Sequence, residues 1–214
     1  MRLYSRWQNS AGERVRIAMG LKGLQFEYVP VKTIAPDGYG RLNPQGLMPA
    51  LEVDGRIVAQ SSAILEYLEE TCPDVPLLPS DSWSRAQVRA FCAHVSAEMH
   101  AITSRRIRVF LKDDLNVGDD AVTRWLRHWM DKGFTALETA LATRTDNWTY
   151  CFGTTPGWAD LHLVPQLRNA RNLDCDISRF ARLLEVEARC VNLDAFRLAR
   201  PEAQPDYPGK ASTS

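Results

Sequence analysis

Short apolar runs and amphipathic stretches alternate through the first third of the chain. Arg2–Ser5, Phe26–Val29, Ala50–Val53 and Arg56–Ala59 are short and rich in branched or aromatic residues, and each predicts a strand. Between the first two, Val15, Ala18, Met19 and Leu21 recur at helical spacing. Ser10 and Glu13 stand at the separation of a capping box, and Gly23 is placed to end that helix. Residues 31–42 carry Pro36, Gly38 and Gly40 and read as a loop with one turn. Asp54-Gly55 between the last two strands predicts a tight hairpin. Gln60-Ser61-Ser62 then opens a helix that Ser61 or Ser62 can cap, with Ile64, Leu65 and Leu68 on its apolar face. The order is βαβ followed by ββα.

Pro73, Pro76 and Pro79 mark a linker, and the pattern changes after it. Long helices are predicted over 83–110, 119–142 and 158–170, and shorter ones over 178–188 and 192–199. Trp125, Trp129, Phe134, Leu137 and Leu141 predict a buried stripe on the second of these. The fold class is therefore α/β plus all-α. An α/β domain occupies 1–79, an all-helical domain 80–200, and a flexible tail rich in proline and small polar residues 201–214.

Composition narrows the functional classes. The formal charge is zero, which gives no footprint for a nucleic acid. No run approaches the roughly 18 apolar residues of a membrane span, and the first ten residues read as strand rather than as a leader. Five cysteines are scattered and never form a C-x-x-C pair, so neither a metal site nor a disulfide framework is expected, and a cytoplasmic location fits.

Four segments carry a resemblance: RVRIAMGLKG (14–23), LNPQGLMPALEVDG (42–55), QSSAILEYLEE (60–70) and FGTTPGWADLHLVPQ (152–166). Together they resemble the zeta class of cytosolic glutathione transferases, and within it the bacterial maleylpyruvate and maleylacetoacetate isomerases, over residues 1–200. The resemblance implies a thioredoxin-like first domain, a homodimer, and glutathione as cofactor. It implies that Pro49 is a cis-proline, that Met48 pairs with the cysteinyl part of glutathione through its backbone, and that Gln60 and Ser61 hold the γ-glutamyl group. It also implies a structural role for Asp160, in a capping box where Gly157 replaces the usual hydroxyl residue.

The segment that should activate the thiol departs from the family pattern. Aligned on Arg14-Val15-Arg16, the catalytic serine falls on Asn9, the next serine on Ser10 and the family's cysteine on Ala11. Ser10 is either the donor to the thiolate or only a helix cap, and Asn9 can donate through its amide. Ala11 argues against the family's reductive dehalogenases. Two carboxylates on the implied substrate call for cations, yet Gln8 and Asn172 stand where the family has arginines. Arg106 and Arg171 are the candidates that remain, with His100 for glutathione or substrate, Gln8 in the substrate pocket, and Trp7 as the pocket aromatic. Arg105, Arg106 and Arg108 read equally as a solvated helix face. The implied reaction is glutathione-dependent cis–trans isomerisation of a small unsaturated oxo-acid or enone. A conjugating transferase and a glutathione-binding scaffold with little turnover are the alternatives.

Overall fold

The computed structural model describes residues 1–35, 38–144 and 148–209. It divides into two compact units: Met1–Leu78 together with the segment from Val191 onward, and Pro79–Cys190.

In the first unit, β1 (Arg2–Ser5) pairs in parallel with β2 (Glu27–Pro30) and antiparallel with β3 (Ala50–Val53), which pairs antiparallel with β4 (Arg56–Ala59). The sheet order is β2-β1-β3-β4. Asp54 (φ 50°) and Gly55 (φ 76°) both lie in the left-handed region, as the hairpin turn between β3 and β4 demands. Side chains alternate across the sheet, so each face has its own core. On one face Leu3 and Leu51 pack with Val15 and Met19 of α1 (Ser10–Leu21) and Ile64 and Leu68 of α3 (Ser61–Thr71). On the other, Tyr4 and Ala50 meet Tyr39 of α2 (Gly38–Leu42). This is the thioredoxin-like arrangement. Residues 31–42, read as a loop with one turn, hold instead a 3-10 turn at Val31–Thr33 and this short helix; 36–37 lie outside the described residues.

The end of α1 follows the sequence pattern closely. Gly23 takes φ 68°, Leu24 N–H donates to Met19 O (2.9 Å) and Gly23 N–H to Gly20 O (3.2 Å), a Schellman ending. Lys22 then points its ammonium into a buried ion pair with Glu69 (3.0 Å) and also donates to the carbonyls of Cys72 and Val75. Glu69 accepts in addition from the N–H groups of Leu77 and Leu78, so one pair fastens α1, α3 and the linker.

The C-terminal segment differs from expectation. The helix α10 (Asp194–Ala199) belongs with the first unit, not with the helical domain. Its Phe196 and Ala199 are buried, Ala195 sits against Gly20 of α1, and Arg16 donates through Nε and Nη2 to Ala199 O (3.0 and 2.9 Å). Nor are residues 201–209 a loose tail. Gln204 and Asp206 are each 5% exposed and fully engaged, because a polar segment packs well when buried carbonyls and N–H groups supply its partners. Residues 210–214 of the expected tail lie outside the described residues.

The second unit is helical. The expected helix over 83–110 is broken into α4 (Ser82–Ala93), a π-helical stretch at His94–His100, α5 (Ala101–Thr103), α6 (Arg105–Val109) and a second π-helical stretch at Phe110–Asp114. Ser104, with ψ 158°, leaves the helical region and makes the break. Next come α7 (Asp119–Ala142), α8 (Trp158–Asn172) and α9 (Ala181–Cys190). The buried stripe of α7 is Val122, Leu126, Met130, Phe134, Leu137 and Leu141. Trp125 lies off it, exposed, donating its indole N–H to Ile102 O (3.0 Å), and Trp129 is half-buried beside it. α8 is buried on every side, and its Asp160 carboxylate accepts from the N–H groups of Gly157 and Cys151, both at 2.8 Å. Glycine has no side chain to return the bond, so this box is one-sided. Among the described residues no helix is long and apolar enough to cross a membrane.

Candidate functional site

Three features of the first unit build the site: the start of α1, the turn before β3 and the start of α3. The cap of α1 is Asn9, not Ser10. Asn9 has extended backbone (φ −143°, ψ 100°), its Oδ1 accepts from Gly12 N–H, and its carbonyl accepts from Glu13 N–H (2.8 Å). An amide oxygen at that position does what the expected Ser10 hydroxyl would have done, so Ser10 becomes the first residue of the helix. Gly12 is fixed by this arrangement, since a Cβ there would collide with Ser5 Oγ and Asn9 Oδ1. Gln8, just ahead, is exposed and accepts from Arg6 Nε through its carbonyl (3.0 Å). Trp7 stacks edge-on against Tyr207, ring centroids 5.2 Å apart.

The Met48-Pro49 peptide is cis. What holds the turn in front of it was not visible in the sequence. Asn43 Nδ2 (2.6 Å) and Tyr39 OH (2.7 Å) both donate to Leu47 O, so the peptide ahead of Met48 is pinned by two buried side chains. Burial also pushes the Tyr39 phenol up from its ordinary pKa, keeping it a donor.

Gln60 precedes α3 with φ 72° and ψ 121°, a backbone that side-chain-bearing residues rarely adopt. Its side chain makes no cap; it donates to Gln45 Oε1 (2.7 Å). The α3 start therefore has no side-chain cap at the position where Ser61 or Ser62 was expected. Ser61 is the first helical residue, 6% exposed, and its Oγ lies 3.4 Å from Nη1 of the buried Arg14 of α1. Arg14 thus ties the first turn of α3 to the second turn of α1. In the sequence the only signal for this role is a charged residue beside apolar Val15 and close to Ile17.

The remaining candidates belong to the second unit. His100 ends its first π-helical stretch, and Arg106 is exposed on α6. Arg171 is paired within the unit: its guanidinium forms two parallel bonds with the Glu187 carboxylate (2.6 and 2.5 Å), which hold its pKa above the ordinary value. Helix α9, which supplies Glu187, could not be paired with α8 from sequence. A cavity of about 560 Å³ in this unit is lined by Phe91, His94, Arg144, Trp148 and Phe152 among others, and by none of the candidates.

Residues 10–71 match the family described as glutathione S-transferase, N-terminal domain. The chain is 40% identical to maleylpyruvate isomerase of Ralstonia sp. over 210 residues, 96% of this chain and 99% of that one. Its fold matches a holo structure of maleylpyruvate isomerase, described as a bacterial zeta-class glutathione S-transferase, with TM-score 0.91 and 40% identity over 96% of this chain and 99% of that one. It also matches maleylacetoacetate isomerase of Anaeromyxobacter dehalogenans with glutathione in its active site (TM-score 0.85, 37% identity, 97% of each chain). A second structure of that isomerase holds dicarboxyethyl glutathione and citrate in its active site (TM-score 0.84). With the segments, the fold and these full-length relatives in agreement, the chain belongs to the zeta-class glutathione transferases of the maleylpyruvate and maleylacetoacetate isomerase family.

Proposed function

We propose that the protein is a glutathione-dependent cis–trans isomerase acting on a small unsaturated oxo-acid or enone of the maleylpyruvate or maleylacetoacetate kind. The observation that carries this reading is the pair of helix starts joined by Arg14: one capped by Asn9 with Ser10 following, one left without a side-chain cap beside Gln60 and Ser61.

These residues fit the cofactor. A helix start with free N–H groups is a carboxylate site, and Gln60, Ser61 and the nearby guanidinium of Arg14 suit the γ-glutamyl end. The backbone of Met48, ahead of Pro49, suits pairing with the cysteinyl segment in the manner of an added strand. When bound, glutathione supplies a thiolate that adds reversibly to an electron-poor alkene beside a ketone, so that the bond can turn before it is re-formed.

The chain's own task is to favour that thiolate. Each unit of pKa lowering asks about 1.4 kcal/mol of preferential stabilisation of the anion. The N-terminus of α1 contributes positive potential. Asn9 spends its Oδ1 on the cap, which orients its Nδ2 donor; Ser10, the first residue of the helix, places a hydroxyl at the same helix start. Ser10 is the donor we assign first. His100, Arg106 and Gln8 are assigned to substrate or cofactor on the resemblance alone; so is Arg171, which would have to leave or share its pair with Glu187 to meet a substrate carboxylate. On the resemblance the protein is assigned to the cytoplasm and as a homodimer, the second of which light scattering tests directly.

The test of function is incubation with maleylpyruvate and a catalytic amount of glutathione. Formation of the trans product with glutathione undiminished is expected. Stoichiometric consumption of glutathione would make the protein a conjugating transferase, and no bound thiolate below pH 8 in an ultraviolet titration would leave only the scaffold.

A further inference from the structure

The short segment between β1 and α1 runs from Arg6 to Asn9 and leads directly into Ser10; Asn9 is fixed by its cap, while residues 6–8 ahead of it rely on other contacts. Arg6 bonds locally to Gln8 O, and Ser5 Oγ reaches Arg6 O at 3.5 Å. Among the described residues, the long-range contacts recorded on 6–8 come from the other end of the chain. Asp206 Oδ2 accepts from Trp7 N–H (3.1 Å), and the Tyr207 ring meets the Trp7 ring.

Asp206 is itself firmly placed. It is 5% exposed; its Oδ1 accepts from Tyr28 OH (2.9 Å), and its carbonyl accepts from Lys32 Nζ (3.2 Å). Burial, first, and this bond to Asp206 push the Tyr28 phenol well above its ordinary pKa, so it remains a donor. Gln204 folds the segment leading to Asp206 by donating to Leu198 O (2.9 Å) and Arg200 O (2.8 Å). Arg16, from α1, donates to Ala199 O and to Ser5 Oγ (3.4 Å), and lies 5.9 Å from the Tyr28 ring centroid. A closed loop of contacts therefore runs from α1 through the C-terminal segment and back to the peptide of Trp7.

We propose that Asp206 is a positioning residue for thiol activation: its carboxylate clamps the Trp7 peptide and thereby fixes the segment that presents Asn9 and Ser10 to the cofactor. This rests on the assignment of those two residues made above. The clamp works through geometry, not charge, since a nearby carboxylate would oppose a thiolate rather than favour it. Asparagine at 206 can accept from Trp7 N–H through its oxygen and donate to the Tyr28 phenol oxygen through its nitrogen, so it keeps the clamp. Alanine keeps neither bond.

The test compares Asp206→Ala and Asp206→Asn by ultraviolet titration of bound glutathione, with kcat and KM read separately. For Asp206→Ala the bound thiol pKa is expected to rise by about one unit. Its kcat should fall about tenfold. The KM for glutathione should hold, because Met48, Gln60 and Ser61 are untouched. Asp206→Asn is expected to behave as wild type. A folded Asp206→Ala with unmoved thiol pKa and kcat overturns the proposal. So does Asp206→Asn as impaired as the alanine variant. If Asp206→Ala does not fold, Asp206→Ser replaces it, whose hydroxyl is too short to hold both Trp7 N–H and Tyr28 OH, and an unmoved thiol pKa there is the overturning result. A wild-type protein that binds glutathione without ionising it overturns the isomerase reading and this one together, whereas a normal wild type with insensitive variants overturns this one alone.

Discussion

Two neighbouring polar residues at the start of α1 have different tasks, and the difference can be measured. Asn9 accepts from Gly12 N–H, so removing its side chain leaves a helix donor without its cap. Asn9→Ala should cost about 1 kcal/mol, within the usual 0.5–2 for lost caps, read as a shift in the urea midpoint at unchanged slope. Ser10 is the first helical residue and not the N-cap, so Ser10→Ala should lower that midpoint by less than Asn9→Ala does while raising the bound thiol pKa by a unit or more. The reverse pattern, stability lost at Ser10 and ionisation lost at Asn9, would return the roles to those that spacing suggests. Ser10 with Glu13 satisfies the capping-box pattern in sequence, but the amide one residue earlier takes the cap position and accepts from Gly12 N–H instead. Spacing names a set of residues able to cap; the entry direction of the chain decides among them. The same limit hid Arg171, whose charge was plain in the sequence while the Glu187 that neutralises it lies on another helix.

At the level of elements, what was legible is what short-range physics fixes. Asp54-Gly55 made the hairpin, Gly23 ended α1, and Pro49 entered β3, because left-handed backbone and a missing N–H are properties of one or two residues. The π-helical stretches in 94–114 and the allegiance of α10 were not legible. Helical periodicity says that Phe196 and Ala199 share an apolar face, but not that Gly20 on α1 leaves room for Ala195 to approach. The buried Lys22–Glu69 pair is a further long-range feature that sequence could not pair, and it ties the ends of two helices to the linker. Glu69→Ala would leave the Lys22 ammonium buried without its counter-charge and the Leu77 and Leu78 N–H groups without an acceptor. Breaking such a pair typically costs about 3–5 kcal/mol. Differential scanning calorimetry should show a large fall in Tm for Glu69→Ala and a smaller one for the paired replacement Lys22→Met with Glu69→Leu. Equal losses would mean that linker packing, rather than the charge pair, dominates.

On the scale of the whole molecule, buried thiols set a limit on alkaline stability. Cys151 and Cys190 are both wholly buried, and burial is the first cause pushing each thiol above its ordinary pKa; neighbouring carboxylates, Asp160 at both and Glu187 at Cys190, push the same way. In the unfolded chain both would ionise near the free-thiol value of about 8.5. Above that pH the unfolded state therefore holds fewer protons than the folded one, and stability must fall as pH rises. Below it both states are protonated and the thiols contribute no slope. Each group adds up to about 1.4 kcal/mol per pH unit to the loss, until the pH reaches its folded pKa. Urea unfolding at pH 7.5, 8.5, 9.5 and 10 should show this decline. The double variant Cys151→Ala with Cys190→Ala should start lower at pH 7.5, because two small cavities open, yet decline less steeply above pH 8.5. Slopes that remain parallel would assign the alkaline loss to Cys175, whose thiol burial also pushes up, or to the tyrosines. Of the tyrosines, Tyr28 is held protonated by burial and by Asp206, and its contribution begins only above about pH 10 in the unfolded chain. The two ranges are far enough apart for one titration to separate a thiol-limited fold from one limited at the C-terminal clamp.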